Sequence, residues 1–318
     1  MYCLRLARAV TGRNKILKFE GAYHGANEVG VSSLFPDRLL DFPTAEASSK
    51  GLTESMLADV LVAPYNDLTT ASRIIEEHAT ELAAVIVEPL QRCTPPRRNF
   101  LQGLRAVTSQ NQLPLIFDEV VTGFRLAYGG AQEYYGVTPD LVAYGKALGG
   151  GYPIGAFGGS RELMSWMRED RLGSPEYMWM ASSIGGNPVS CSAALAALGL
   201  FREPHAYAHL HEQGEYLRSN MRSVLASRNQ VAQVIGDGPL AQVVFSAQPV
   251  FDYRSTHRGD KKKARHLMLR LFEKGVFLNP MGTKLYLSLA HTQQTIDDFI
   301  QRFDDVLSEP RFANLSVV

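Results

Sequence analysis

Three short β-type runs in the first half of the chain each stop at a side chain able to do chemistry. Ala83–Val87 stops at Glu88-Pro89, Leu113–Phe117 at Asp118-Glu119, and Leu141–Tyr144 at Gly145-Lys146. From Glu88 to Asp118 is 30 residues and from Asp118 to Lys146 is 28, close to the roughly 30 of one strand-helix-strand unit. Apolar runs at this spacing, with helical patterns between them, predict a parallel sheet. Ligands of an open parallel sheet bind outside the carboxyl ends of its strands, so a Glu, an Asp and a Lys would share one rim.

The remaining patterns extend this α/β reading. Lys15–Glu20 is a further strand, followed by Gly-Ala-Tyr-His-Gly, and Asn99–Gln112 carries apolar residues at helical spacing and serves as a crossover. Met1–Arg13 is Arg-rich and helix-patterned; without a Ser-rich continuation or a small-residue cleavage site it reads as a buried helix rather than a transit peptide. A long helix begins at Asn187-Pro188, where Asn caps and Pro suits the first turn, and ends near Arg202-Glu-Pro204. Beyond it the pattern predicts an amphipathic helix through Leu210 and Leu217. Strands follow around Val243–Phe245, Val276–Leu278 and Leu285–Leu289, with a last helix through Ile296, Phe299, Ile300 and Phe303. The expectation is a large α/β domain over 1–204, mostly parallel in its sheet with flanking helices, and a smaller C-terminal α+β domain over 205–318.

Composition narrows the partners. The 32 basic and 32 acidic residues cancel, which gives no field to attract nucleic acid or an anionic membrane. No apolar run approaches the roughly 20 residues of a membrane span. Three scattered cysteines suit neither a disulfide framework nor a zinc site, and point to a cytoplasmic protein. Small molecules are the expected partners.

Lys146 sits between Gly145 and Ala147, ahead of Leu148-Gly-Gly-Gly-Tyr-Pro-Ile-Gly155, so a bulky group can approach it closely. An amine at the end of a buried strand loses solvation, which lowers its pKa and frees its lone pair for attack on a carbonyl. It is not a nucleotide loop, because Ala follows the Lys where Ser or Thr is required. Asp118, one unit earlier, is placed to keep a heterocyclic nitrogen protonated; capping of the strand end is the plainer alternative. Tyr23 can stack on a flat ligand with His24 packing or hydrogen-bonding beside it, or both can be core. Ser182 and Ser183 precede a helix start, where hydroxyls hold an anion or simply cap. His205, His209 and His211 lack an acidic or Cys companion at zinc spacing, and His257–Arg265 reads as a loop or helix start.

Taken together, Leu4–Arg13, Lys18–Gly25, Leu115–Arg125, Gly129–Asp140, Gly145–Gly155 and Gly185–Pro188 resemble the class III, fold type I aminotransferases, and within them the glutamate-1-semialdehyde aminomutase branch. The resemblance runs nearly from end to end. It implies the cofactor pyridoxal 5′-phosphate, with Lys146 as the Schiff-base lysine, Asp118 as the partner of the pyridinium nitrogen, and Val120 and Tyr23 on the two ring faces. Glu88 matches a family acid near the cofactor, with His24 close by. Ser183 stands where the family has a Thr that reaches the phosphate of the neighbouring subunit, which implies a homodimer with shared active sites.

The activity implied is transamination between a small-molecule amino donor and an aldehyde or keto acceptor, with intramolecular aminomutase chemistry as the alternative. Two departures bear on it. The Ser-Gly-Thr-Glu-Ala type turn that grips the cofactor phosphate, and the segment before it, do not precede Met1. The resemblance therefore also allows a fragment, a mis-started product, or a family member impaired in cofactor binding and catalysis. The stretch Met281–Ser288 lacks the Arg that many members use to clamp a substrate carboxylate.

Overall fold

The computed structural model describes residues 1–278 and 283–313, without the side chains of Arg311 and Ala313. Met281 and Gly282, which open the stretch lacking the clamping Arg, lie outside the described residues. The chain forms two compact units: Met1–Arg92 with Pro96–Arg202, and Cys93–Pro95 with Glu203 onward.

The first unit is built on a six-stranded sheet. Its strands are β1 (Lys15–Phe19), β2 (Val60–Ala63), β3 (Leu82–Val87), β4 (Leu115–Asp118), β5 (Leu141–Tyr144) and β6 (Ala156–Gly159), in the order β2-β1-β3-β4-β5-β6. All neighbours pair in parallel except β5 with β6. Every residue of β3 is buried, as a central strand covered on both faces must be.

Alternation along the strands feeds two cores. Leu17, Phe19, Val85, Val87, Leu115 and Phe117 face helices Leu68–Glu77 and Phe100–Gln110 on one side. Ile16, Ala84, Ile86 and Ile116 face helix Tyr2–Thr11 on the other. The Met1–Arg13 stretch is thus a packed helix, with Leu6 and Ala7 fully buried. The register sets Val87 beside Phe117 and Asp118 beside Ala143, so the ends of β3, β4 and β5 lie along one rim.

The second unit holds the antiparallel sheet β7 (Gln233–Ile235), β8 (Leu240–Val244) and β9 (Lys284–Tyr286). Helices Ala206–Ser227, Lys261–Glu273 and Gln293–Leu307 close a core around Leu217, Leu267, Ile296 and Phe303. The strand expected at Val276–Leu278 is not one. Gly275, at φ 77, ends helix Lys261–Glu273 in a left-handed turn, its amide donates to the Phe272 carbonyl, and the Val276 amide donates to the Leu271 carbonyl. That is a Schellman close, whose apolar follower packs back on the helix instead of joining a sheet. No helix among the described residues is long and apolar enough to cross a membrane.

Phe117 is fully buried directly beneath the rim. Phe117→Ala is expected to cost about 3 to 5 kcal/mol of stability, read as a fall in the urea midpoint of wild type against variant.

Candidate active site

The rim residues are delivered by strand ends. Asp118 closes β4, Glu88 follows β3, and Lys146 comes two residues after β5. Gly145 is extended, with φ −179, and Lys146 turns the chain into a short 3-10 helix at φ 47. A left-handed backbone at a non-glycine costs on the order of 1 kcal/mol or more and collects at functional positions.

Asp118 is nearly enclosed, with its side chain 11% exposed. Its Oδ2 lies 2.9 Å from His24 Nδ1 and its Oδ1 accepts from the Val120 amide at 3.1 Å. Burial pushes this carboxyl up, but the His24 hydrogen bond and charge, the Val120 amide and the Lys146 charge outweigh it and hold the pKa below the ordinary 3.8. An ionised carboxylate only accepts, so His24 donates from Nδ1. That leaves His24 Nε2 buried and without a hydrogen-bond partner among the described residues.

Lys146 is exposed on the rim, yet desolvation at its amine lowers the pKa from 10.5; Asp118 and Glu88 oppose the shift, while Arg125 and Arg92 add to it. The result is an amine more readily deprotonated than a surface lysine, electrostatically coupled to the Asp118 carboxylate. Val120 stands beside Gly145, the residue before Lys146: a Cβ added there would meet Val120 Cγ1 at 3.4 Å.

Glu88 organises the opposite edge. Its Oε1 accepts from the Tyr23 amide at 2.7 Å and its Oε2 from the Arg92 amide at 2.9 Å. Tyr23 is 41% exposed, and its ring lies 5.8 Å from the Arg92 guanidinium, which also covers Phe35 at 5.7 Å. Tyr23, His24, Glu88, Asp118, Val120 and Lys146 are therefore tied together by hydrogen bonds, close approach or charge coupling.

Ser183 takes no part in these contacts. It is exposed in the turn that leads to helix Pro188–Phe201, whose cap is Asn187, its side chain accepting from the Ser190 amide at 2.9 Å. A cavity of about 840 Å³ adjoins this turn, lined among others by Tyr2, Ala143, Phe157, Ser182 and Asn187, and it includes neither Asp118 nor Lys146.

Two contributors escaped the sequence reading. Arg92 bears on the Tyr23 ring and on the charge at Lys146; only its place after Glu88-Pro89 hinted at this. Glu119, fully buried, accepts from Thr122 Oγ1 at 3.0 Å and from the amides of Ala131 and Gln132 at 2.5 and 3.1 Å. Gln132 Nε2 then donates to the Tyr144 hydroxyl at 2.7 Å, so Glu119 braces the segments just after Asp118 and just before Lys146.

Because the Asp118 pKa lies below the ordinary 3.8, its ionised form adds stability above that pH, and the gain is lost as pH falls through the folded value. The stability of wild type relative to Asp118→Asn is accordingly expected to shrink between about pH 5 and pH 3. Urea unfolding of both proteins across that range is the check, and a difference independent of pH would contradict the ionised assignment.

The chain as a whole is similar to known proteins. A family model described as aminotransferase class-III matches residues 1–307. Glutamate-1-semialdehyde 2,1-aminomutase of Methanocaldococcus jannaschii is 37% identical over 310 residues, 96% of this chain and 71% of that protein. An omega-transaminase from Sphaerobacter thermophilus is 35% identical and superimposes with a TM-score of 0.90, covering 98% of this chain and 72% of its own. A structure described as a transaminase with PLP bound is 29% identical, with a TM-score of 0.84 over 96% of this chain and 70% of its own.

Proposed function

Given that the chain belongs to the class-III aminotransferases, pyridoxal-phosphate-dependent enzymes of fold type I, we propose that it moves an amino group between a small-molecule donor and an aldehyde or keto acceptor with Lys146 as the cofactor's covalent anchor. The observation that carries this reading is the placement of Lys146 and Asp118 at the ends of paired strands, where desolvation lowers the amine's pKa and donors hold the carboxyl below its ordinary value.

The residues fit the cofactor. Lys146 Nζ would supply the amine for its carbonyl, and Asp118 the charge that would keep its ring nitrogen protonated. Val120 and Tyr23 supply an apolar and an aromatic surface for the two ring faces. The buried, unpaired Nε2 of His24 and the carboxylate of Glu88 stand next to that space. Bound there, pyridoxal phosphate supplies a carbonyl for the incoming amine and an electron sink for the carbon that loses a proton.

The chain's own part is proton management. With the cofactor bound, Lys146 Nζ would take the proton from the substrate carbon and return it at the other end of the transfer, acting as base and then acid. Its lowered pKa makes the amine more readily deprotonated than an ordinary lysine, as the base step requires. Asp118 remains ionised throughout, because the His24 and Val120 donors favour its charged form.

This reading assigns 1–204 to a cofactor domain and 205–318 to a smaller domain, with Ser183 reaching a partner's cofactor phosphate in a homodimer. Support for the pairing comes from helix Pro188–Phe201. It is apolar on all sides, a composition suited to burial, yet Val189, Leu195 and Leu200 are exposed, Leu195 at 71%. The identity to glutamate-1-semialdehyde aminomutases favours a second reading, in which one molecule loses and regains the amine at adjacent carbons.

Mixed with pyridoxal 5′-phosphate, the protein is expected to gain a visible absorbance band that Lys146→Ala abolishes; a colourless wild type at excess cofactor would defeat both readings. Incubation with glutamate-1-semialdehyde and no amino donor separates them. Redistribution of the amine identifies the aminomutase, and a requirement for an added donor identifies the aminotransferase.

A further inference from the structure

Lys18 is fully buried in β1 and has no part in the chemistry above. Strand alternation puts Leu17 and Phe19 in the core on one side of the sheet and Ile16 in the core on the other, so Lys18 projects with Ile16. Its amine meets backbone carbonyls: Ala22 at 2.9 Å, Gly30 at 3.4 Å and Ser32 at 2.5 Å. An ammonium has three donors and no acceptor, and here each donor has an oxygen.

All these oxygens belong to the segment that runs from the end of β1 through Tyr23 and His24 to Ser33. Ala22 lies immediately before Tyr23, while Gly30 and Ser32 lie on the returning limb. The limbs are in tight contact, since a Cβ at Gly30 would fall 2.0 Å from the Gly25 carbonyl oxygen. Inside the turn, Asn27 Nδ2 donates to the His24 carbonyl at 2.8 Å and the Gly30 amide donates to Asn27 Oδ1 at 3.0 Å. Lys18 thus joins the two limbs from below, and His24 reaches Asp118 from the tip.

We propose that Lys18 is a positioning residue of the site: by holding the Ala22, Gly30 and Ser32 carbonyls it fixes the turn that keeps His24 Nδ1 on Asp118 and Tyr23 on the rim. Burial pushes the amine down to about 7, with Glu88 opposing the shift and Arg92 adding to it. A buried lysine under that strain is retained only where its hydrogen bonds offset the loss of water. Hydrophobic replacements of similar volume fit the slot and remove only the donors, so Lys18→Met isolates them.

The proposal rests on the functional reading for what Asp118 and Tyr23 serve, while its main tests need no cofactor. In the cofactor-free protein, Lys18→Met is expected to speed amide exchange over residues 22–32 by about tenfold or more, with β3 unchanged. The ring ¹⁵N shifts of His24 are expected to change from a single form protonated at Nδ1 to a mixture. With cofactor added, the Kd for pyridoxal 5′-phosphate is expected to rise about tenfold, the equivalent of about 1.4 kcal/mol.

Unchanged exchange together with unchanged His24 shifts in Lys18→Met overturns the proposal. Should the variant not fold, the ¹H–¹⁵N spectrum of the wild-type lysine ammonium groups decides: at a pH below the amine's pKa of about 7, one slowly exchanging signal supports the pinned amine, and no protected signal overturns it. A wild type that never binds cofactor, in a protein whose Lys18→Met variant still frees the turn and His24, would instead refute the functional reading and leave the positioning role standing.

Discussion

A carboxylate kept ionised at the nearly enclosed end of a strand is the constraint around which this site is arranged. Removing such a charge from water costs several kcal/mol unless donors replace the water. At Asp118 the replacements are the Val120 amide, supplied by the chain turning sharply after β4, and the His24 imidazole, supplied by the turn after β1. The charge therefore requires two parts of the sheet to be correctly folded at once. The second of them depends on the buried amine of Lys18 and on the Glu88 carboxylate that takes the Tyr23 amide.

The same logic orders the neighbouring strand end. Lys146 gains its lowered pKa by losing water, and an amine in that condition is useful only if a nearby charge can steady it whenever it is protonated. Parallel pairing of β4 with β5 supplies the neighbour, with Asp118 in register with Ala143 and Lys146 just beyond. Glu119, Gln132 and Tyr144 then brace the segments on either side from beneath. What looks in the sequence like a pair of adjacent acids is a division of labour between chemistry and scaffolding.

Much of this is legible in the sequence. The ends of β3, β4 and β5 could be read because apolar runs stop at Glu88, Asp118 and Gly145-Lys146 with the spacing of crossovers, and the capping Asn187 announced its helix. The edge strand β6 was not legible, since Ala156-Phe-Gly-Gly carries little β-branched character and reads as a turn. Val276–Leu278 misled for the opposite reason: an apolar triplet resembles a strand, and the decisive signal was the preceding Gly275, which ends a helix. The roles of Lys18, Arg92 and Glu119 were beyond reach, because each depends on partners brought together only by tertiary folding.

Asp118 and Glu119 are consecutive residues whose carboxyl groups respond to burial in opposite ways. Donors and nearby positive charge hold Asp118 below its ordinary pKa, while burial carries Glu119 above its own despite the amides and hydroxyl it accepts from. On acidification the proton therefore arrives first at the brace and only later at the working carboxylate. A protonated Glu119 turns one accepting oxygen into a hydroxyl that faces other donors, so the loop from Thr122 to Gln132 loosens while Asp118 still carries its charge. Acid thus slackens the frame around this site before it discharges the site itself.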